Sequence, residues 1–156
     1  MKVSPLAVCL SVLSFAASAE TIDLQLVATG NENSFFVPLS GDIQVYRTEA
    51  IYDQIEQRPN DRLEIASLHC FGSFRVLTGL ATGGGHCTLE DVQGDQILQE
   101  WTIDKVALGQ AFGTWHFVAG TGKHQDVSGR GAWANETVAR TGAIRNTISG
   151  IVTWSE

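Results

Sequence analysis

The chain has 156 residues, with 17 acidic residues against 10 Lys and Arg residues, and a formal net charge of −7 at pH 7. This length suits a single domain. The acidic balance argues against nucleic acid and against anionic membrane surfaces as partners, because both are bound by clustered cations.

The first 19 residues are typical of a secretory signal peptide. Lys2 gives a basic start, residues 6–15 are apolar, and residues 17–19, Ala-Ser-Ala, form a small-residue cleavage site. We expect cleavage to leave residues 20–156 as one secreted or periplasmic β-barrel domain with no membrane attachment. Lipidation at Cys9 is the disfavoured alternative, because Cys9 precedes most of the apolar run.

Residues 67–91 contain the two cysteines that remain after cleavage, Cys70 and Cys87. If Thr78 and Gly79 form a two-residue hairpin turn, the register places the cysteines directly opposite each other. Counting from the turn makes them a non-hydrogen-bonded pair, whose side chains lie close enough for a disulfide. A loop through the glycine run before Cys87 is an alternative that would shift the register. We predict a disulfide, which an exported chain also favours.

The rest of the mature chain alternates between apolar and polar residues, with Gly-, Asn- and Asp-containing turns and no convincing helical period. A polar turn is predicted at residues 30–33 and a charged linker at residues 54–62. The strand-like segments are residues 21–28, 34–37, 43–53, 63–77, 80–91, 96–107, 111–119, 132–135 and 145–155. This pattern indicates an all-β sandwich or barrel. We favour a small closed antiparallel β-barrel of about eight strands, because 16 glycines against 3 prolines suit tight barrel corners.

Residues 113–123, GTWHFVAGTGK, continue into VSGRG at residues 127–131. Together they resemble the G-x-W-x-F-x-G-G-T-G-K…G-x-G signature of the allene oxide cyclase-like and dirigent-like barrel superfamily, although Ala119 stands where that signature has glycine. The cysteine hairpin is similar to the exported bacterial branch in particular. The resemblance covers about residues 68–133. It implies a barrel that holds a small, mostly apolar molecule in its mouth, and some members of the superfamily cyclise or steer such molecules.

Two motif-like stretches do not carry the chemistry that they suggest. Residues 120–123, GTGK, lack a phosphate loop's first glycine and its final Ser or Thr, because Phe117 and His124 occupy those positions. Asp91 and Asp95 flank a glycine, but the alternate oxygen ligands of a calcium loop are missing. We interpret both stretches as turns between strands.

His69 and His86 are diagonal neighbours in the predicted hairpin register. A shared metal ion would need two further ligands, and Glu90 lies farther along the strand. We therefore interpret the two histidines as outer-face residues, and expect no metal and no cofactor.

The sequence has no G-x-S-x-G nucleophile motif, and the predicted disulfide leaves no free thiol. Any acid–base chemistry would come from carboxylates that reach into the barrel. The candidates are Glu64, which lies on the same face of its strand as Leu68 and Cys70, and Glu100, next to Trp101. Each such residue is more often solvated at the rim, because an unpaired buried carboxylate is costly.

Five aromatic residues could line a ligand cavity or could fill the barrel core. They are Trp101, Trp115, Phe117, Trp133 and Trp154.

The leading functional hypothesis is binding of a small, largely apolar molecule in the barrel mouth. A cofactor-independent cyclase or isomerase that confines its substrate is one alternative. A structural or protein-interaction module, which could self-associate as a homo-oligomer, is another. A deep carboxylate among aromatic side chains would favour the enzyme, and a filled barrel would favour the interaction module. An open apolar mouth without a buried acid would favour simple binding.

Overall fold

The computed structural model describes residues 19–40, 43–60, 62–78, 80–137 and 143–155. Residues 1–18 of the predicted signal peptide lie outside the described residues, and so does Gly79 of the predicted hairpin turn.

Eight antiparallel strands form a closed barrel in sequence order, and β8 pairs with β1 to complete it. The strands are β1 (Glu20–Ser40), β2 (Ile43–Gln57), β3 (Ile65–Leu77), β4 (Leu80–Asp91), β5 (Gln96–Ala107), β6 (Gln110–Gly120), β7 (Val127–Thr137) and β8 (Ala143–Trp154). A single 3-10 turn, Gly122–His124, joins β6 to β7. The described ranges contain no helix that is long and apolar enough to cross a membrane. The prediction of an all-β closed barrel is confirmed.

The β3–β4 hairpin has the predicted register. Leu77 pairs with Leu80, and Cys70 lies opposite Cys87 with their Cα atoms 4.0 Å apart. The two cysteines form the predicted disulfide. Thr78, at φ 48°, has the left-handed conformation that a tight hairpin turn requires.

The predicted polar turn at residues 30–33 is wrong, because β1 runs through it without a break. The register of β1 against β2 shifts between Thr29 and Gly30. A Cβ atom on Gly30 would lie 1.9 Å from the carbonyl oxygen of Ile51, so only glycine allows the two strands to approach this closely. The glycine marks a β-bulge inside a long strand, not the end of a strand. Residues 54–57 of the predicted linker likewise belong to β2.

Large apolar side chains fill one end of the barrel, which we call the closed end. Its residues are no more than 1% exposed. They are Leu63, Leu68, Leu89, Ile97, Val152 and Trp154.

The loop between β2 and β3 covers the closed end. The side-chain oxygen of Asn60 accepts hydrogen bonds from the backbone amides of Arg62, at 2.9 Å, and Leu63, at 3.1 Å. The side-chain amide of Gln57 donates to the Leu63 carbonyl at 2.9 Å. The Arg62 guanidinium lies 5.0 Å from the ring centroid of Trp154. These contacts hold Leu63 over the core and so cover this end of the barrel.

Candidate functional site

The other end of the barrel, which we call the open end, contains a cavity of about 370 Å³. It lies inside the barrel, toward the turns that join β3 to β4 and β5 to β6. Inward-facing residues that define the open end are Glu32, Gln44, Tyr46, Phe74, Val76, Val106 and Ala111. Deeper in the barrel the cavity is lined by Ala50, Tyr52, Cys70, Cys87, Gln99, Trp101, Ile103, Trp133, Asn135 and Asn146.

Aromatic rings form much of the cavity wall. Trp101 and Trp133 meet edge to face with ring centroids 5.8 Å apart, and Tyr46 stacks on Phe74 at 4.8 Å. The indole N–H of Trp133 is directed away from the cavity, because it donates to the Thr102 carbonyl and to a second strand carbonyl, each at 3.1 Å. The wall is therefore a fixed apolar surface that could hold an apolar molecule.

Tyr52 brings a hydroxyl group into this apolar surface. Its ring is buried, and the side-chain amide of Asn135 donates to its oxygen at 3.2 Å. Burial raises the pKa of the Tyr52 hydroxyl well above its usual value, and the negative charge of Glu32 raises it further. Hydrogen bonds to Asn146 and Asn135 lower this pKa but do not cancel the other two effects. Tyr52 therefore stays protonated at physiological pH and can donate a hydrogen bond.

Three residues that line the deep part of the cavity each have a buried side-chain polar atom without a hydrogen-bond partner among the described residues. They are the Gln99 Oε1 atom, the Trp101 Nε1 atom and the Asn146 Oδ1 atom. Gln99 is 2% exposed, Asn146 7% and Trp101 8%. Buried polar groups in proteins are rarely left unpaired, so these atoms could pair with a polar group of a molecule in the cavity or with water.

Glu32 is the one carboxylate among the described cavity-lining residues, and it lies at the open end. Thr48 donates a hydrogen bond of 2.6 Å to Glu32 Oε1, and Ser34 donates to the same oxygen. The residue is only partly buried. Glu32 is therefore a solvated rim acid and not a carboxylate isolated among aromatic side chains.

A second polar cluster lies at the closed end, around the buried side chain of Asp91. Its Oδ1 atom accepts hydrogen bonds from the backbone amides of Gln93, at 2.8 Å, and Asp95, at 3.0 Å. Its Oδ2 atom lies 2.8 Å from Lys123 Nζ and 3.0 Å from His124 Nε2. Burial acts to raise the pKa of Asp91, but the hydrogen bonds outweigh it and lower the pKa to about 2. Asp91 and His124 are both buried beneath the β4–β5 and β6–β7 connections. We therefore interpret this cluster, which we call the Asp91 cluster, as a structural feature that holds the two connections together.

Of the five aromatic residues singled out from the sequence, the structure places Trp101 and Trp133 on the cavity. Trp115, Phe117 and Trp154 are buried and are not among the lining residues. Trp115 packs on Phe117 at 4.9 Å, and its indole N–H donates to two strand carbonyls at 3.2 Å. These three residues contribute to the core.

The two carboxylates singled out from the sequence both lie away from the cavity. Glu64 is exposed. The alternation predicted that it faces inward, but a register shift between Ile65 and Ser67 places it on the outward face. Glu100 is on the outer face, where its Oε2 atom lies 3.4 Å from His116 Nε2. Neither side chain could act on a molecule inside the barrel.

The hairpin histidines lie on the outer face. His69 Nε2 lies 2.9 Å from Glu49 Oε1, and the His86 ring lies 6.0 Å from the ring of Phe71. Within the described ranges, no group of three or more His, Cys, Asp or Glu residues could hold a metal ion.

Sequence reasoning missed the polar residues of the cavity. Gln99 lies between Ile97 and Trp101 on the inward face of β5, and Asn146 lies between Ile144 and Ile148 on the inward face of β8. A polar residue at an inward position of an alternating strand is the signal that could have identified both.

Comparison with known proteins adds no relative, since the chain matches no family model and no curated sequence. The class of the protein follows from its architecture. It is a small closed eight-stranded antiparallel β-barrel with one disulfide. Buried apolar side chains fill one end, and the other end contains a cavity.

Proposed function

We propose that the protein binds a small, largely apolar molecule in the cavity at the open end. The observation that carries this proposal is the cavity itself, about 370 Å³ with aromatic walls and a few convergent polar groups. Ligand pockets in proteins typically have volumes of roughly 300–1,000 Å³ and this mixture of lining residues.

Two features favour binding over the alternatives. Among the lining residues that the structure describes, the one carboxylate, Glu32, is at the rim and bonded to Thr48 and Ser34, which is a poor setting for a buried general acid or base. A module that only supports protein contacts would have no need of an interior cavity. Binding without covalent chemistry therefore fits the site better than cyclisation or a purely structural role.

We also propose that the protein is exported and related to the allene oxide cyclase-like and dirigent-like barrels. The Cys70–Cys87 disulfide supports an oxidising compartment. The closed barrel and the resemblance of residues 113–131 support the relationship, and both agree with a ligand held inside the barrel.

A cavity-blocking variant tests the proposed binding. Ala111 lines the cavity on β6, whereas Ala132 is exposed on the outer face of β7. Ala111→Trp should abolish binding of prodan, an uncharged naphthalene ketone dye, and Ala132→Trp should leave binding unchanged. Binding is followed by the blue shift of prodan emission, and native mass spectrometry of gently purified protein shows whether a bound molecule is lost in the same variant.

Urea unfolding of each variant separates blocking from misfolding, and Val106→Phe provides a second block from the neighbouring strand β5. If folded Ala111→Trp and Val106→Phe proteins bind prodan as the wild type does, the cavity is not the binding site and the proposal fails.

A further inference from the structure

The unpartnered polar atoms of the cavity indicate what kind of ligand it selects. An unpaired buried polar atom destabilises the folded protein, and residues that line the cavity carry three of them, at Gln99 and Trp101 on β5 and at Asn146 on β8. A ligand group that pairs with them would recover much of that cost.

The unpartnered atoms include both acceptors and a donor. Gln99 Oε1 and Asn146 Oδ1 are acceptors, and Trp101 Nε1 carries a donor hydrogen. The Tyr52 oxygen accepts from Asn135, and Tyr52 also hydrogen-bonds with Asn146. A ligand group that both donates and accepts, as a hydroxyl does, would fit this arrangement.

The charge around the cavity disfavours an anion. Glu32 places a carboxylate at the open end, and no Lys, Arg or His is among the described residues that line the cavity. The whole chain is also acidic, with a net charge of −7. A carboxylate ligand would meet acceptor oxygens and a negative rim without a compensating cation.

We infer that the ligand is an uncharged apolar compound that carries a hydroxyl group, and that the cavity rejects the corresponding carboxylate. This inference rests on the proposed function. The hydroxyl group donates to Gln99 Oε1 and accepts from Trp101 Nε1, which belong to successive inward residues of β5, while the apolar body lies against the aromatic wall.

Three naphthalene derivatives of similar size test the inference, because they differ only in the substituent. They are 2-naphthol, 2-methylnaphthalene and 2-naphthoate, each measured at pH 7 by displacement of prodan, whose own affinity is determined first for every variant. Gln99→Met removes the acceptor at nearly constant volume, and Gln25→Met makes the same change at an exposed position of β1.

Gln99→Met should weaken 2-naphthol binding about threefold to tenfold, the effect of losing one hydrogen bond, and should leave 2-methylnaphthalene within about twofold. Gln25→Met should change neither. Comparing each ligand with itself across variants removes the different water solubilities of the three compounds. Glu32→Gln should strengthen 2-naphthoate binding about threefold or more relative to 2-naphthol binding.

The outcomes separate this inference from the proposed function. If prodan and all three compounds fail to bind, both are wrong. If prodan binds but Gln99→Met affects 2-naphthol and 2-methylnaphthalene equally, water satisfies the polar atoms and the hydroxyl selectivity is overturned, while binding in the cavity stands. The same holds if 2-naphthoate binds the wild type more tightly than 2-naphthol does.

Discussion

The two ends of the barrel are built from the same strands and the same inward–outward alternation, yet one is filled and the other is not. Along β5, Ile97 belongs to the closed end and pairs with Leu89, whereas Ile103 faces the cavity. The difference lies in the size and polarity of the neighbours. On the neighbouring strands, Leu89 pairs with Ile97 and Leu68 pairs with Leu89, so large apolar side chains continue across the sheet. From Val106 at the open end, the paired residues on β6, β7 and β8 are Ala111, Asn135 and Asn146, which are small or polar.

The two ends of the sheet therefore contribute differently, one to stability and the other to the cavity. The closed end buries large apolar side chains and so supplies hydrophobic stabilisation. At the open end some inward positions carry small or polar side chains, such as Ala111 and Gln44, which lose packing contacts but leave room for a ligand. Substitutions at the two ends should therefore have different consequences.

The largest expected difference comes from one substitution made at both ends of β5. Ile97→Ala should lower the free energy of unfolding by about 3–5 kcal/mol, because a fully packed site leaves a void. Ile103→Ala should cost about 2 kcal/mol or less, because that side chain already borders a cavity. Urea unfolding at pH 7 measures both values.

Ile151→Ala, an exposed position on the outer face of β8, provides the control and should stay within about 0.5 kcal/mol of the wild type. Equal losses for Ile97→Ala and Ile103→Ala would contradict the comparison, because they would mean that the open end is packed as well as the closed end.

The disulfide lies between the two ends, and Cys87 pairs with Gln99 on the neighbouring strand β5. Replacing both Cys70 and Cys87 with Ala should lower the free energy of unfolding by about 3 kcal/mol, because the cross-link restricts the unfolded chain. Reduced wild-type protein should show a similar loss. A loss near zero would indicate that the hairpin already forms in the unfolded ensemble.

The hairpin also shows what the sequence could predict. The spacing of Cys70 and Cys87 about a two-residue turn determines a register without any tertiary information, and the structure has that register. Bulges are harder, because they depend on the partner strand. From the sequence alone Gly30 looks like a turn residue, because its close approach to Ile51 is visible only in the structure. Glu64 likewise looks like an inward residue, because the register shift before Ser67 cannot be read from the alternation.

The cavity was less predictable than the fold. Trp101 and Trp154 both occupy inward positions of amphipathic strands, and alternation alone cannot distinguish the one that lines a cavity from the one that fills the core. That difference depends on the summed volume of side chains from several strands around the barrel. The inward polar residues Gln99 and Asn146 carried a local signal, because polar side chains at core positions usually have a binding or structural role.

The smallest of these stability effects concerns the Asp91 cluster at the closed end. The pKa of Asp91 is about 2 in the folded protein against an ordinary value of 3.8, so its ionised form stabilises the fold above about pH 4. That contribution, roughly 2 kcal/mol, is lost as the pH falls through 2. Asp91→Asn should lack this part of the acid dependence, as measured by urea unfolding between pH 5 and pH 2.

Asp104→Asn, at an exposed position of β5, should keep the acid dependence of the wild type. Prodan binding by Asp91→Asn at pH 7 sharpens the comparison of the two ends. If the closed end supplies stability and the open end supplies binding, the variant should be less stable but bind the dye with unchanged affinity while it remains folded. A weakened affinity in the folded variant would show that the Asp91 cluster also determines the shape of the cavity. The closed end and the open end would then be structurally coupled.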